Sequence, residues 1–267
     1  MKAIFLCILF FSFSLQAVIQ RLPEKEPRKV FILTIPKSGS HLIEKAVQEI
    51  THREVKMLPY KTLWTLPRVQ ELEIDDIIHW THFYKEADAL KNVDPNKYIK
   101  IINIRDPRDV IISQRDMANR RGNWARWTPP HFFDDYFKLS QEDRLSFSIY
   151  FPDKYDSVKV FLDRALAWVE DPDVFICRFE DLVGPQGGGD RLRQENTLRG
   201  LAHHLGYSIE EDDIKAIADN LFGNTEMFNK GQIGRWRELY TPKHKMEFNE
   251  VMGDRLIKLG YEEDLNW

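Results

Sequence analysis

The chain has 267 residues, with 42 acidic against 38 basic side chains, a formal net charge of −4 and 43% hydrophobic residues. That length suits one large domain with a full core, and the composition is ordinary for a globular protein. The acidic balance argues against a nucleic-acid partner and a broad nucleic-acid-binding surface, although basic residues can still gather around one anionic ligand.

Lys2 is followed by an uncharged apolar run, Ala3 to Leu15, then by Gln16, Ala17 and a charged linker ending at Lys29. This reads as an export signal over 1–20, a linker over 21–29 and a domain over 30–267. Ala17 suits the residue before a cleavage point, but Leu15 is not the small residue expected two positions earlier. The alternative is an uncleaved anchor, because the uncharged stretch from Ala3 to Gln20 reaches the lower edge of the roughly 17–25 residues that span a bilayer. The expectation is a chain of the secretory pathway, with a cleaved signal preferred and membrane contact only through residues 3–20. Cys7 lies in this leader and Cys177 in a predicted strand, so a processed chain has one thiol, read as core, and no internal disulfide.

Val30 to Ile35 reads as a buried strand, and Leu42, Ile43, Ala46, Val47 and Ile50 recur at helical spacing just after it. Between them lies Pro36-Lys-Ser-Gly-Ser-His41. Gly39 lets the backbone approach a ligand, Ser38, Ser40 and His41 offer donors at a helix N-terminus, and Lys37 adds positive charge. The junction fits a phosphate; the plain alternative is an ordinary strand-turn-helix connection. It is not a Walker A loop, since Lys37 precedes the only glycine instead of following a second one.

Asp76 to His82 reads as a second strand and Tyr98 to Arg105 as a third, so strands alternate with helices and a parallel sheet follows. Asp106-Pro-Arg-Asp109 is a helix start with Asp106 as N-cap and Pro107 at the first helical position; the helix runs to Arg120 or Arg121. Ser113 lies two turns into it, on roughly the face of Asp106 and Pro107. If the first and third strands are neighbours, their carboxyl ends bring Arg105 and Ser113 beside the Lys37 loop, where open α/β sheets bind ligands. Two anion sites suggest a bisphosphate. Taken singly, Arg105 reads equally well as an ion-pair partner of Asp106 or Asp109, and Ser113 as a neutral helix residue.

From Gly122 to about Asp156 the pattern is irregular and aromatic, with Pro129-Pro130 excluding a regular helix, and reads as a lid or insert. A helix over Ser157 to Val169, a strand over Val174 to Phe179, a turn at Gly184-Pro-Gln-Gly-Gly-Gly189 and two more helices follow. A second glycine-punctuated loop, Asn229 to Trp236, precedes a charged amphipathic helix from about Pro242 to Leu259. His203 and His204 read as a solvated helix face.

Five stretches in order, Thr34-Ile-Pro-Lys-Ser-Gly-Ser40, Thr81-His-Phe83, Arg105-Asp-Pro-Arg-Asp-Val-Ile-Ile-Ser113, Phe179-Glu-Asp181 and Lys230-Gly-Gln-Ile-Gly-Arg-Trp236, resemble the motifs of the PAPS-dependent sulfotransferases. The resemblance covers about residues 30 to 260 and implies a three-layer α/β/α fold with a central, mostly parallel sheet of the P-loop-like kind. It implies that 3′-phosphoadenosine 5′-phosphosulfate (PAPS) is the sulfuryl donor, with no metal required. It assigns Lys37, Ser38, Gly39, Ser40 and His41 to the 5′-phosphosulfate, and Arg105, Ser113, Lys230 and Gly231 to the 3′-phosphate. Phe179 takes the place of a common nucleotide-site tyrosine.

The resemblance also makes His82 the general base, which suits a side chain that titrates near neutrality, and Lys37 the group that stabilises charge on the leaving oxygen. The plain alternative for His82 is a hydrogen-bonded residue at a strand end. His79, three residues earlier, would face away from it. Departures from the family pattern fall at Leu42, where tryptophan is usual, at Phe179, at Asn229, which replaces a basic residue, and at Arg235, which replaces an acid and is expected to be exposed.

The resemblance implies that the acceptor is a hydroxyl or amine on a small molecule, sugar or peptide. Trp124, Trp127, Phe132 and Phe133 wall its pocket or simply cover the core. Arg115, Arg120, Arg121 and Arg126 suggest an anionic acceptor or a solvated helix face. The sequence leaves oligomeric state open. A P-loop-type kinase using ATP and a catalytically inactive nucleotide-binding module are the competing functions.

Overall fold

The computed structural model describes residues 20–21, 29–57, 77–82, 98–121, 135–152, 157–223 and 228–267. Residues 1–19 of the leader, the four aromatics Trp124, Trp127, Phe132 and Phe133, and Arg126 lie outside the described residues, as does the side chain of Arg121. Gln20–Arg21 pairs antiparallel with Tyr207–Ser208 in a two-residue ribbon.

The centre is a five-stranded, all-parallel sheet. Its strands are β1 (Lys29–Thr34), β2 (Glu54–Met57), β3 (Ile77–His82), β4 (Tyr98–Ile104) and β5 (Val174–Arg178), laid side by side in the order β2-β3-β1-β4-β5. Every residue of β4 is buried, as expected of an inner parallel strand covered on both faces. β2 has no counterpart among the sequence expectations. Three of its four residues are exposed and only Val55 is buried, so this edge strand has too little apolar patterning to be read.

One face of the sheet carries Val30, Ile32, Ile78, Trp80, Ile99, Ile101 and Cys177. It packs against α1 (Ser40–Thr51), α6 (Arg191–Leu205) and α7 (Glu211–Leu221). The other face carries Phe31, Leu33, Ile102, Ile104 and Val174. It packs against α2 (Pro107–Arg121), α3 (Gln141–Ile149), α4 (Val158–Val169) and α9 (Pro242–Lys258), with Trp236 and Tyr240 at its rim. The three-layer α/β/α arrangement is therefore present, and Cys177 is a core residue.

The segment expected to lack a regular helix contains α3. Ser140 is its N-cap, accepting from the Asp143 amide, and Leu145, Ser148 and Ile149 turn inward. The two prolines lie eleven residues upstream of this helix and do not break it. Tyr136 and Phe147 stack edge to face, with Tyr136 buried, so these aromatics serve packing.

His204 corrects the reading of the histidine pair as solvated. His203 is exposed, but His204 stacks on Phe175 and hydrogen-bonds the Lys100 carbonyl.

Candidate active site

The register of the sheet builds the site. Thr34, the last residue of β1, lies opposite His82 on one neighbour and Asn103 on the other, and Asn103 lies opposite Cys177. In a parallel sheet, residues in register share a face, so these side chains form one row near the carboxyl ends of the strands, beside α1. His79 is in register with Phe31 and faces the other way.

The loop after β1 is braced from this row. Ser38 donates from its amide to the Ile35 carbonyl at 3.0 Å and from Oγ to the same carbonyl at 2.7 Å. Asn103 Nδ2 donates to the Ser38 carbonyl at 2.9 Å. Ser38 is thus fully buried and directs its donors into the loop, where it fixes shape.

Two consecutive tight points follow. Lys37 has φ 72 and Gly39 φ 93, so the chain passes twice through the left-handed region within three residues. A side chain there costs a non-glycine residue about 1–2 kcal/mol, strain of a kind concentrated at ligand sites. At Gly39 a Cβ would stand 2.6 Å from Phe179 Cδ2, so this position needs glycine for space as well as for φ.

The Phe179 ring supports Arg105, whose guanidinium carbon lies 4.1 Å from the ring centroid. Arg105 donates from Nη1 to the Lys37 carbonyl at 3.3 Å and from Nη2 to the Gln232 carbonyl at 2.8 Å. One buried cation therefore joins the first loop to the C-terminal glycine loop, which carries Lys230 and Gly231.

Asp109 fastens the far end of that loop, accepting from the amides of Gly234 at 2.6 Å and Trp236 at 3.1 Å. Burial raises its pKa, and Arg105 and the two amides oppose the rise. Asp109, Ser113 and Met117 recur every four residues on α2 and so share a stripe. Asp109 holds the C-terminal loop, and Met117 Sδ lies 3.3 Å from Lys37 Nζ. Ser113, buried between them on the same stripe, is placed between the two loops.

Glu180 ties the fourth motif to the third, accepting from the Asp106 amide at 2.9 Å. Burial pushes its carboxyl up to about 7, against the pull of that amide and of Arg105. Arg235, expected to be exposed, is instead largely buried and pairs with Asp116 at 2.7 Å. Asp116 also pairs with Arg115 at 3.0 Å, so this part of the basic run is neutralised within the protein.

On the other side of β1, His82 Nδ1 lies 2.8 Å from Thr34 Oγ1, and Ser40 Oγ donates to that same oxygen at 2.8 Å. The His82 ring meets Trp80 edge on at 5.4 Å and Phe161 at 6.4 Å, and Trp80 meets His41 at 5.5 Å. His41 Nδ1 is 2.7 Å from Glu44 at the start of α1. Burial lowers the His82 pKa to about 4; hydrogen bonding to the Thr34 backbone opposes this, and the positive charges of His41 and Lys37 add to it. The imidazole is therefore neutral at pH 7 and able to accept a proton.

Four residues outside the expected set brace the site: Thr34, Asn103, Asp109 and Gln232. Asn103 had a legible signal, a lone polar residue within the apolar Ile101-Ile-Asn-Ile104 run. The main-chain contacts of Lys37 and Gln232 had none, because a carbonyl carries no sequence signature.

An adenosine bisphosphate with its sulfuryl group fits these residues. Arg105 Nε and Trp80 Nε1 are buried without a hydrogen-bond partner among the described residues. An unmatched buried donor is costly, and an anionic oxygen would satisfy it. Lys37, Arg105 and the Gly39 turn bring positive charge and close backbone approach to the same sheet edge.

Comparison with known proteins bears on the fold. No protein-family model matches the chain. It is 22% identical to a flavonol sulfotransferase-like protein of Flaveria bidentis, over 88% of this chain and 84% of the relative. It is also 22% identical to sulfotransferase 6B1 of Mus musculus, over 87% and 80%. Among solved structures, mouse sulfotransferase SULT7A1 complexed with PAP matches with a TM-score of 0.61 at 16% identity, covering 87% of this chain and 86% of that one. Retinol dehydratase in complex with androsterone and inactive cofactor PAP matches with a TM-score of 0.55 at 15% identity, covering 87% and 82%. With its five-stranded parallel sheet, its order of motifs and these likenesses, the chain has the fold of the PAPS-dependent sulfotransferases.

Proposed function

We propose that the protein transfers a sulfuryl group from PAPS to a hydroxyl or amine acceptor. The observation that carries this reading is the contact of Arg105 with the Lys37 carbonyl, which sets two cationic clusters side by side on one sheet edge, as a bisphosphate nucleotide requires. Bound PAPS would supply a sulfuryl group activated by its phosphate leaving group.

In this reading Lys37, Gly39, Ser40 and His41 bind the 5′ end, while Arg105, Ser113, Lys230 and Gly231 bind the 3′-phosphate. Ser38 shapes the first loop, and Phe179 supports Arg105. Lys37 holds positive charge where negative charge grows on the leaving oxygen, the preorganised help that often gives the largest catalytic effect. His82, neutral and close to Lys37, takes the acceptor's proton.

The aromatic surroundings of His82, Trp80 and Phe161, favour an apolar hydroxylated acceptor. Two solved neighbours, complexes of retinol dehydratase with androsterone and with retinol, hold molecules of that kind.

The test has two steps. Thermal unfolding is measured with adenosine 3′,5′-bisphosphate and with ATP; at about 100 times its dissociation constant a ligand specific for the folded state adds about 2.7 kcal/mol. Preference for the bisphosphate is expected, and preference for ATP would reject the reading in favour of a kinase. Labelled PAPS is then offered with a panel of sterols, retinoids, phenols and amines to wild type and Lys37→Ala. Transfer by wild type alone is expected, and binding without transfer would indicate an inactive nucleotide-binding module.

A further inference from the structure

We propose that Thr34 and Ser40 are positioning residues that hold His82 as its Nδ1–H tautomer, leaving Nε2 as the nitrogen that receives the acceptor's proton. The argument is a count of protons around one buried oxygen. Among the described residues, Thr34 Oγ1 has three hydrogen-bonding neighbours: Ser40 Oγ at 2.8 Å, His82 Nδ1 at 2.8 Å and the Thr81 carbonyl at 3.4 Å. A hydroxyl has one proton to give and two lone pairs to receive.

The Thr81 carbonyl can only accept, so it takes the single Thr34 proton. Ser40 donates to one lone pair, and the second is filled by a proton on His82 Nδ1. This assignment satisfies all three contacts at once; if Thr34 donated to Nδ1 instead, the Thr81 contact would be lost.

Sheet register fixes this geometry, since Thr34 and His82 are opposite one another and Thr34 is fully buried. The row therefore sets the tautomer before any ligand arrives, which is the usual work of a hydrogen bond to the second ring nitrogen of a histidine.

The catalytic half of the proposal rests on the sulfuryl-transfer reading above. In it, the acceptor oxygen bonds sulfur as the sulfur–oxygen bond to the 5′-phosphate breaks. The electron pair leaves on the phosphate oxygen, and His82 Nε2 takes the acceptor's proton to become imidazolium, with Nδ1–H still held by Thr34.

The test reads the ring directly. In 15N-histidine-labelled wild type near pH 7.5, with the His82 signals assigned by their loss in His82→Gln, Nδ1 is expected at a protonated shift and Nε2 at an unprotonated one. The opposite pattern would overturn the proposal and make Thr34 the donor. This measurement needs no folded Thr34 variant.

Thr34→Val, equal in shape but without the hydroxyl, is expected to move the ring toward Nε2–H and to lower kcat about 10-fold or more, with donor KM unchanged; this is less than the roughly 100- to 10,000-fold of a whole general base, because His82 itself remains. Thr34→Ser is expected to restore both. A folded Thr34→Val protein with wild-type tautomer and kcat would refute the positioning role. Nδ1–H in a wild type that transfers no sulfuryl group to any acceptor would uphold the hydrogen-bond assignment and overturn the catalytic half, together with the functional reading on which it rests.

Discussion

Arg105 and Lys37, sixty-eight residues apart in the chain, meet at a 3.3 Å hydrogen bond from a guanidinium to a main-chain carbonyl. The charged ends of both side chains are thereby kept on one edge of the sheet. The same guanidinium stacks on Phe179 and reaches Gln232, so its planar fork serves three partners at once. A lysine has the charge without the fork. Arg105→Lys is expected to weaken adenosine 3′,5′-bisphosphate binding about 10-fold or more, in line with charge-assisted hydrogen bonds of about 1.5–3 kcal/mol. Isothermal titration calorimetry checks this.

Lys37→Ala is expected to lower kcat about 100- to 1,000-fold, the loss typical when one preorganised electrostatic donor is removed. Affinity for adenosine 3′,5′-bisphosphate, which lacks the leaving sulfuryl group, should change much less. Steady-state kinetics beside product-binding measurements separate the two effects.

The lowered pKa of His82 has two consequences. Between about pH 4 and 6.5 the unfolded chain binds a proton on this ring and the folded chain does not. Its contribution to stability is complete above 6.5 and is lost as the pH falls toward 4. Wild type should therefore lose more stability than His82→Gln over that window, as denaturant unfolding would show. An anionic nucleotide placed beside Lys37 should also offset the positive charges that depress the ring, so the His82 titration midpoint followed by NMR should rise when adenosine 3′,5′-bisphosphate binds.

Gly39→Ala would place a methyl group 2.6 Å from the Phe179 ring at φ 93. The backbone alone costs about 1–2 kcal/mol, and either the ring or the loop must then move. Loss of stability and of nucleotide binding is expected. Phe179→Ala in the same chain should recover part of the stability but not the binding, since Arg105 loses its support. Thermal melts with and without nucleotide distinguish these outcomes.

The parts of the site legible in sequence were those where one residue type had one physical reason to be present. The Val30 to His41 junction, the Asp106 cap and the mostly apolar third strand announced the sheet edge. Less legible was whatever depends on a partner distant in sequence. Arg235 read as exposed because Asp116, which neutralises it, lies over a hundred positions away. His204 read as solvated because its ring partner Phe175 belongs to another element. Ser38 reads as a ligand donor, and its hydroxyl donates to the Ile35 carbonyl within the loop. Main-chain acceptors such as the Lys37 and Gln232 carbonyls leave no mark in the amino-acid string at all.

Asp109 grips the amides of Gly234 and Trp236 from one carboxylate, while Arg105 grips Gln232 from the cation next to it. If that cation also binds the 3′-phosphate, shutting the glycine loop and retaining the spent nucleotide are a single linked equilibrium. Residence time then sets the ceiling on turnover. A variant such as Asp109→Asn should let exhausted nucleotide depart sooner while capturing fresh nucleotide less well, trading grip for pace.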